Sequence, residues 1–247
     1  MPAIRGNPRY AWGMTTAYRL HYAPDNASLI IRLALEDLGI AYHTALIDRT
    51  QRAQDAPAYR QINPNGLIPA LETPEGPIFE TGAILLWLAD RHPGPLAPAM
   101  EDATRGEFLK WLFFLSNTLH PALRMRFYPE KYIGADPAMQ IQLRRHINGE
   151  IARHLEILEI AAAQSPAFPD AAPNAICFYL ACLLRWHALY PIDDPSGFSL
   201  DALPHLHAIC AGVERTQAAQ IAAIAEGLGP TPFTAPRYAD PPLGSAT

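Results

Sequence analysis

The stretch Asn63-Pro64-Asn65-Gly66-Leu67-Ile68-Pro69-Ala70-Leu71 constrains this chain more than any other. Asn-Pro-Asn-Gly is a turn signal in which each residue type favours a bend for its own reason. It runs straight into Leu-Ile-Pro-Ala-Leu, a short apolar strand with Pro69 inside it. Proline cannot donate to a ladder, so it belongs at an edge, a bulge or a strand start. A proline that opens a strand after a turn is also a candidate for a cis bond. There the N–H and C=O of Ile68 stay outside the sheet, open to another extended chain. A short hairpin around Thr73–Pro77 follows, then Phe79-Glu80-Thr81-Gly82-Ala83-Ile84, with Glu-Thr opening a helix. Turn, interrupted strand, hairpin and helix start together suggest a peptide-binding edge.

The rest of the chain is sized for a substantial core. Its 247 residues, 49% hydrophobic, suit one large or two small domains. A net charge of −5 gives no electrostatic footprint for nucleic acid or an anionic membrane. No apolar run approaches the roughly 18 residues that span a bilayer, and the N-terminus lacks the apolar segment of a secretory signal. Cys177, Cys182 and Cys210 lie late, without a C-x-x-C, which suits a reducing cytoplasm rather than a disulfide framework. Proline is unusually common, 25 residues, against an average share near 5%.

Residues 1–17 show no periodicity and read as a mobile arm. Tyr18–Ala23 reads as a first strand, stopped by Pro24-Asp25-Asn26. A helical stripe of Ile30, Leu33, Ala34 and Leu38 follows, with Gly39 as its C-cap. Tyr42–Ile47 is a second strand, Ala56–Gln61 a short helix, and Thr81–His92 a longer one. The order β-α-β-α-β-β-α calls for a mixed sheet with helices on both faces, the thioredoxin-like arrangement.

Residues 18–93 therefore form an α/β thioredoxin-like domain, with a Pro-rich linker over 94–101. Residues 102–228 are helical in period. Phe108, Leu112, Leu115 and Leu119 make one stripe, and Ile147, Ile151, Leu155 and Leu158 another. Asn174 caps a very apolar helix over Ala175–Tyr190. Two further helices follow, around Pro204–Glu214 and Gln217–Gly227. Residues 229–247, with five prolines from Pro230 to Pro242, cannot hold regular structure and read as an extended surface tail.

This organisation resembles the glutathione transferase family. The residues that carry the resemblance are Asn63-Pro64-x-Gly66-x-Ile68-Pro69-Ala70-Leu71, Glu80-Thr81-x-Ala83-Ile84 and Leu88-Ala89-Asp90. Trp111…Leu119-His120 and Asn174-Ala-x-x-x-Tyr-Leu add to it, so that it spans roughly residues 18–228. The texture is closest to bacterial groups, including the beta class. The resemblance implies glutathione as co-substrate, no metal, a small electrophile as second substrate, and a cytoplasmic homodimer.

Glutathione's chemistry then assigns partners. Thr81 and the open N–H groups at its helix start suit the γ-glutamyl carboxylate, and Glu80 suits the ammonium. The Ile68 backbone, held by Pro69, suits the cysteinyl moiety as an added strand. Arg49 and Arg52 are candidates for the glycyl carboxylate, and Asn117 and His120 for further contacts from the helical domain. Family members usually carry Ser where Thr81 stands, a mild departure that keeps the hydroxyl. The plainer alternatives are that Thr81 merely caps a helix, Pro69 merely ends a turn and the two arginines are surface charge.

Chemistry is expected at the turn Tyr22-Ala23-Pro24-Asp25-Asn26-Ala27-Ser28. The beta-class pattern places its cysteine at Ala27, so cysteine-dependent thiol–disulfide chemistry is not expected. Ser28, Asn26 and Tyr22 are the candidate donors that lower the thiol pKa from roughly 8.5. Helix capping by Ser28 or Asn26 and core packing by Tyr22 are the competing readings. Asp25 is an adverse neighbour to a thiolate unless it points to solvent. Pro121 is expected to kink its helix, with Arg124, Arg126 and Tyr128 beyond it as candidates for a polarised substrate. His205-Leu-His207 has no carboxylate or cysteine beside it in sequence and does not read as a metal site. Cys177 stands where the family usually has the Asp of a capping box, which predicts a weaker helix start. A non-catalytic binding or dimerisation module, and a glutathione-dependent lyase or isomerase, are the rival functions.

Overall fold

Strand β1 (Tyr18–Tyr22) lies inside a four-stranded sheet, flanked by β2 (Tyr42–Leu46) and β3 (Ala70–Thr73), with β4 (Gly76–Phe79) at the far edge. β1 and β2 run parallel, with Tyr18 opposite Tyr42, while β3 is antiparallel to both β1 and β4. Helices α1 (Ser28–Asp37), α2 (Pro57–Arg60) and α3 (Thr81–Arg91) complete the β-α-β-α-β-β-α order of a thioredoxin-like domain. The computed structural model describes residues 18–169, 172–194 and 196–246, so the arm expected over 1–17 lies outside the described residues.

Burial in α1 extends beyond the stripe of Ile30, Leu33 and Ala34: every residue from Ser28 to Leu35 is buried. The helix is covered by the sheet on one side and by α8 (Ala175–Leu189) and α10 (Gln217–Glu226) of the second domain on the other. A charged residue in such a helix, Arg32, needs a buried partner.

The second domain adds α4 (Arg105–Phe114), α5 (His120–Phe127), α6 (Glu130–Ile133), α7 (Pro137–Gln164) and α9 (Pro204–Glu214) to those two helices. Both predicted stripes face the core, Phe108, Leu112, Leu115 and Leu119 from the first, Ile147, Ile151, Leu155 and Leu158 from the second. Where a kink at Pro121 was expected, the turn before it, Leu115–Leu119, is π-helical. Pro121 has no N–H to return to the Asn117 carbonyl, and a widened turn accommodates the missing bond.

Asn174 starts α8 more firmly than expected with Cys177 in the box. Its Oδ1 accepts from the N–H of both Ile176 and Cys177, at 3.0 and 3.2 Å. Its Nδ2 donates to the Ala167 carbonyl at 3.0 Å, so one side chain ties the cap to the preceding loop. None of the three cysteines forms a disulfide, and all are buried. No described helix is long and apolar enough to cross a membrane.

The tail corrects its expectation. It forms no regular element over 229–246, yet it is docked rather than lying loosely on the surface. Phe233 is 1% exposed. Glu214 accepts from the N–H groups of Phe233 and Thr234, both at 3.0 Å. Gly227, at φ 65°, lies so close to the returning chain that a Cβ would fall 1.9 Å from the Asp240 carbonyl oxygen.

Candidate functional site

The Asn63–Leu71 stretch folds as its chemistry requires. Asn63, 2% exposed, takes the Asn65 N–H on its Oδ1 at 3.1 Å. Its Nδ2 and the Tyr59 hydroxyl both donate to the Leu67 carbonyl, at 2.8 and 2.6 Å. The Ile68–Pro69 bond is cis, and β3 begins only at Ala70. Ile68 thus keeps its own N–H and C=O outside the ladder, with no hydrogen bond to either among the described residues. Ala70 pairs with Phe79, and extending that register sets Ile68 opposite Thr81.

At that point α3 starts without a side-chain cap. Glu80 holds φ 72° and ψ 115°, a conformation that costs a non-glycine residue on the order of 1–3 kcal/mol and recurs at functional sites. The Glu80 side chain is exposed, and Thr81 beside it is buried. The first N–H groups of α3 therefore point, uncapped, at the space beside the Ile68 edge, which is a ready anion site. The structure brings Ile68, Pro69, Glu80 and Thr81 together at this edge.

Behind Thr81 stands a residue the sequence reading did not single out for the site, Tyr179 of α8. Burial and then the Glu80 carboxylate push its phenol up, and the nearby Thr81 side chain opposes them. His120 Nδ1 lies 2.9 Å from the Tyr179 hydroxyl. Burial, reinforced by Arg124, lowers the imidazole to about 4, so the ring is neutral at physiological pH. His120 thus stands behind Tyr179, one residue further from the α3 start. The π-helical turn packs beside Gly82, where a Cβ would meet that of Ser116 at 3.4 Å, an ordinary contact. Asn117, exposed beside it, accepts the Ser116 hydroxyl at 3.0 Å and so borders the same space.

The β1–α1 turn sorts its three candidates. Ser28 is fully buried, and its hydroxyl donates to the Ala23 carbonyl at 3.0 Å. Its proton closes the turn and does not face a ligand. Tyr22 is also buried, with the Arg32 guanidinium 4.9 Å over its ring, and belongs to the core. Asn26 is half-buried; its Oδ1 accepts from Ala27 at 2.8 Å, while its Nδ2 makes no hydrogen bond among the described residues.

Asp25, expected to trouble a thiolate unless solvated, does the opposite of pointing to solvent. It adopts φ 49° and turns its carboxylate into the domain boundary. There Arg185 holds both oxygens at 2.8 Å, Trp186 Nε1 and the Tyr190 hydroxyl adding one bond each. Glu226 of α10 accepts the Asp25 N–H at 2.8 Å and pairs with Arg32 at 2.7 Å. Burial, opposed by Arg32, pushes the Glu226 carboxyl up to about 7. Two buried ion pairs thus clamp the turn between the domains.

Four basic candidates have other partners. Arg52 is exposed and paired with Asp55 at 2.8 Å. Arg126 is fully buried, bound to Asn148 and the Tyr190 carbonyl, so it faces no substrate. Arg124 donates to the Tyr132 hydroxyl at 3.1 Å. Arg49, half-buried, donates to the Tyr128 hydroxyl and to the Ala246 carbonyl, each at 3.1 Å. His205 does have a carboxylate beside it in space: Glu159 contacts its Nδ1 at 2.7 Å and caps α9. No group of three or more His, Cys, Asp and Glu residues among those described is placed to hold a metal.

Residues 17–90 match the family model of the glutathione S-transferase N-terminal domain. Glutathione S-transferase GstA of Escherichia coli O157:H7 is 27% identical over 214 residues, 85% of this chain and 99% of its own. Residues 17–90 thus form a glutathione S-transferase N-terminal domain, and the chain is similar to glutathione S-transferases over most of its length. Among solved structures, a sphingomonad glutathione S-transferase complexed with glutathione is 28% identical and superposes with a TM-score of 0.69, covering 85% of this chain and 100% of that one. The transcriptional regulator URE2 of Saccharomyces cerevisiae is 28% identical over 145 residues, 54% of this chain and 39% of its own. Against the beta-class pattern the chain differs at Ala27, and its three cysteines all lie buried in the second domain.

Proposed function

We propose that the chain conjugates glutathione to a small electrophile. The observation that carries this reading is the uncapped α3 start, with strained Glu80 and buried Thr81, opposite the unpaired Ile68 backbone. The γ-glutamyl carboxylate sits on Thr81 and the α3 N–H groups, the ammonium on Glu80, and the cysteinyl backbone on Ile68 as an added strand. Pro69 and the π-turn residue Asn117 border that site, and Arg49 holds the glycyl carboxylate.

Asn26 Nδ2 and the positive end of α1 lower the thiol pKa. Asp25 does not oppose them, because Arg185 neutralises its charge on the far side of the turn. The thiol proton passes to solvent water, the sulfur lone pair forms the new C–S bond, and the leaving group departs with its bonding pair. Positioning and thiolate stabilisation supply the acceleration without a covalent enzyme intermediate. The reading includes a homodimer, to be checked by sedimentation, and a reducing cytoplasm, which three buried cysteines without disulfides suit.

A second reading, a glutathione-binding regulator without turnover, draws support from Ser28 and Tyr22 being committed elsewhere and from the likeness to a transcriptional regulator. A glutathione-dependent lyase or isomerase shares the same site. Titration calorimetry with glutathione, followed by turnover on a broad electrophile panel, separates them. No heat at millimolar glutathione defeats all three readings. Binding without any turnover or thiolate absorbance leaves only the regulator.

A further inference from the structure

The docked tail ends at the site. After Asp240, whose N–H donates to the Gly227 carbonyl at 2.9 Å, the chain leaves the second domain and crosses to the first. A Cβ at Gly244, where φ is 78°, would lie 2.7 Å from Leu46 Cδ1 and 3.4 Å from Pro24 Cδ. The tail therefore lies directly on the β1–α1 turn that carries Asn26. Two residues later the Ala246 carbonyl takes an Arg49 N–H, and the same guanidinium reaches Tyr128 at the end of α5. Further back, Arg185 donates to the Pro232 and Arg237 carbonyls, at 3.0 and 2.9 Å, with the guanidinium that holds Asp25.

Arg49 is the point that makes this more than packing. It is a half-buried guanidinium whose partners are a phenol and a neutral carbonyl, and it has no ion pair with any described carboxylate. Hydrogen bonds from a guanidinium to a carboxylate are roughly twice as strong as those to neutral acceptors. An incoming carboxylate therefore outcompetes the Ala246 carbonyl at this position.

We propose that residues 243–246 form a strap that occupies Arg49 and covers the β1–α1 turn, and that the glycyl carboxylate of glutathione displaces it. The proposal rests on the glutathione reading above. Binding exchanges one acceptor for another on Arg49, and the released segment uncovers Pro24, Leu46 and the turn between them. Glutathione thereby opens the entrance for the second substrate.

The test is calorimetry with glutathione and with γ-glutamylcysteine, which lacks the glycine, on three proteins. These are the full chain, the full chain with Gly244→Val, and a chain lacking residues 243–247. Gly244→Val puts a branched side chain into Leu46 at a φ that disfavours it; the deletion reaches the same end without strain. Both altered chains should bind glutathione about three- to tenfold more tightly, the scale of one displaced hydrogen bond. Their affinity for γ-glutamylcysteine should match that of the full chain. Unchanged or weaker glutathione binding overturns the strap, as does an equal gain for both ligands. Absence of binding by all three proteins overturns the glutathione reading and the strap with it, whereas equal binding by all three overturns the strap alone.

Discussion

Asp25 and Arg185 meet across the domain boundary through two bonds of 2.8 Å, with neither side chain exposed to solvent. The contact joins the β1–α1 turn to α8, residues 160 positions apart in sequence. Such a pair is a weak net stabiliser, because both charges lost their hydration to form it. Its force lies in what happens when one partner is removed. The remaining charge is then buried without compensation, and Trp186, Tyr190 or the tail carbonyls lose their partner as well.

Arg185→Met should therefore cost about 3–5 kcal/mol of stability in urea denaturation. Adding Asp25→Leu to it should recover a large part of that loss, since no orphaned charge remains. A double variant as unstable as the sum of the singles would show that the two charges are not coupled and that each loss comes from its other partners.

Ser28 and Asn26 separate structure from chemistry within one turn. Ser28→Ala removes a buried hydrogen bond to Ala23 and should lower stability by about 1 kcal/mol. It should leave the thiol pKa of bound glutathione where it was. Asn26→Ala should do the reverse, raising that pKa in an absorbance titration of the thiolate with little loss of stability. If Ser28→Ala raises the pKa instead, the assignment of these two residues is inverted.

What the sequence made legible follows the range of the interactions. Asn63–Leu71 was readable because its turn chemistry and its proline act on neighbours within a few residues. The Glu80–Thr81 helix start was readable for the same reason. Asp25 was not, because its partner lies on another domain. The available hint was a lone arginine inside the apolar run Ala175–Leu189, since a charge in such a run is rarely buried without a partner. Arg32 in α1 carried the same hint toward Glu226. The tail's prolines excluded regular structure correctly, but docking depends on the close approach at Gly227 and on Arg185, which proline content does not encode. Ser28 looked like a donor because capping and catalysis call on the same residue type.

Thr81 and Tyr179 should behave as a graded pair. On the proposed glutathione reading, Thr81→Ala removes a hydroxyl from the uncapped α3 start and should weaken glutathione binding by about 1–3 kcal/mol in calorimetry. Tyr179→Phe leaves Thr81 in place but removes its support and that of His120, so a loss of about 1 kcal/mol is expected. The double variant should fall short of the sum, because the two side chains are neighbours and share an environment. Strict additivity would detach Tyr179 from the site.

Acid should destabilise the fold before its carboxylates titrate. His120 and His187 are both held neutral by burial, each lowered to about 4 from 6.5, with Arg124 adding to the effect on the first and Arg126 on the second. Between those values the unfolded chain binds a proton at each position and the native chain does not. Their contribution is therefore fully present above pH 6.5 and is lost as pH falls toward 4. Glu226, raised from 4.5 to about 7, works in the opposite sense: it contributes below 4.5 and loses that contribution as pH rises through 7. Two histidines against one carboxyl leave stability rising with pH across the window. His187 gives the cleaner test, since its Nδ1 has no hydrogen-bond partner among the described residues and its ring packs on Phe198 at 4.7 Å. His187→Phe keeps that packing and removes the titration, so the urea midpoint should fall less between pH 7 and pH 5 than in the parent. Each histidine can account for at most about 3 kcal/mol over its range. An unaltered slope in His187→Phe would mean that this ring takes up a proton in the native protein as readily as in the unfolded chain, and that its burial does not set its charge.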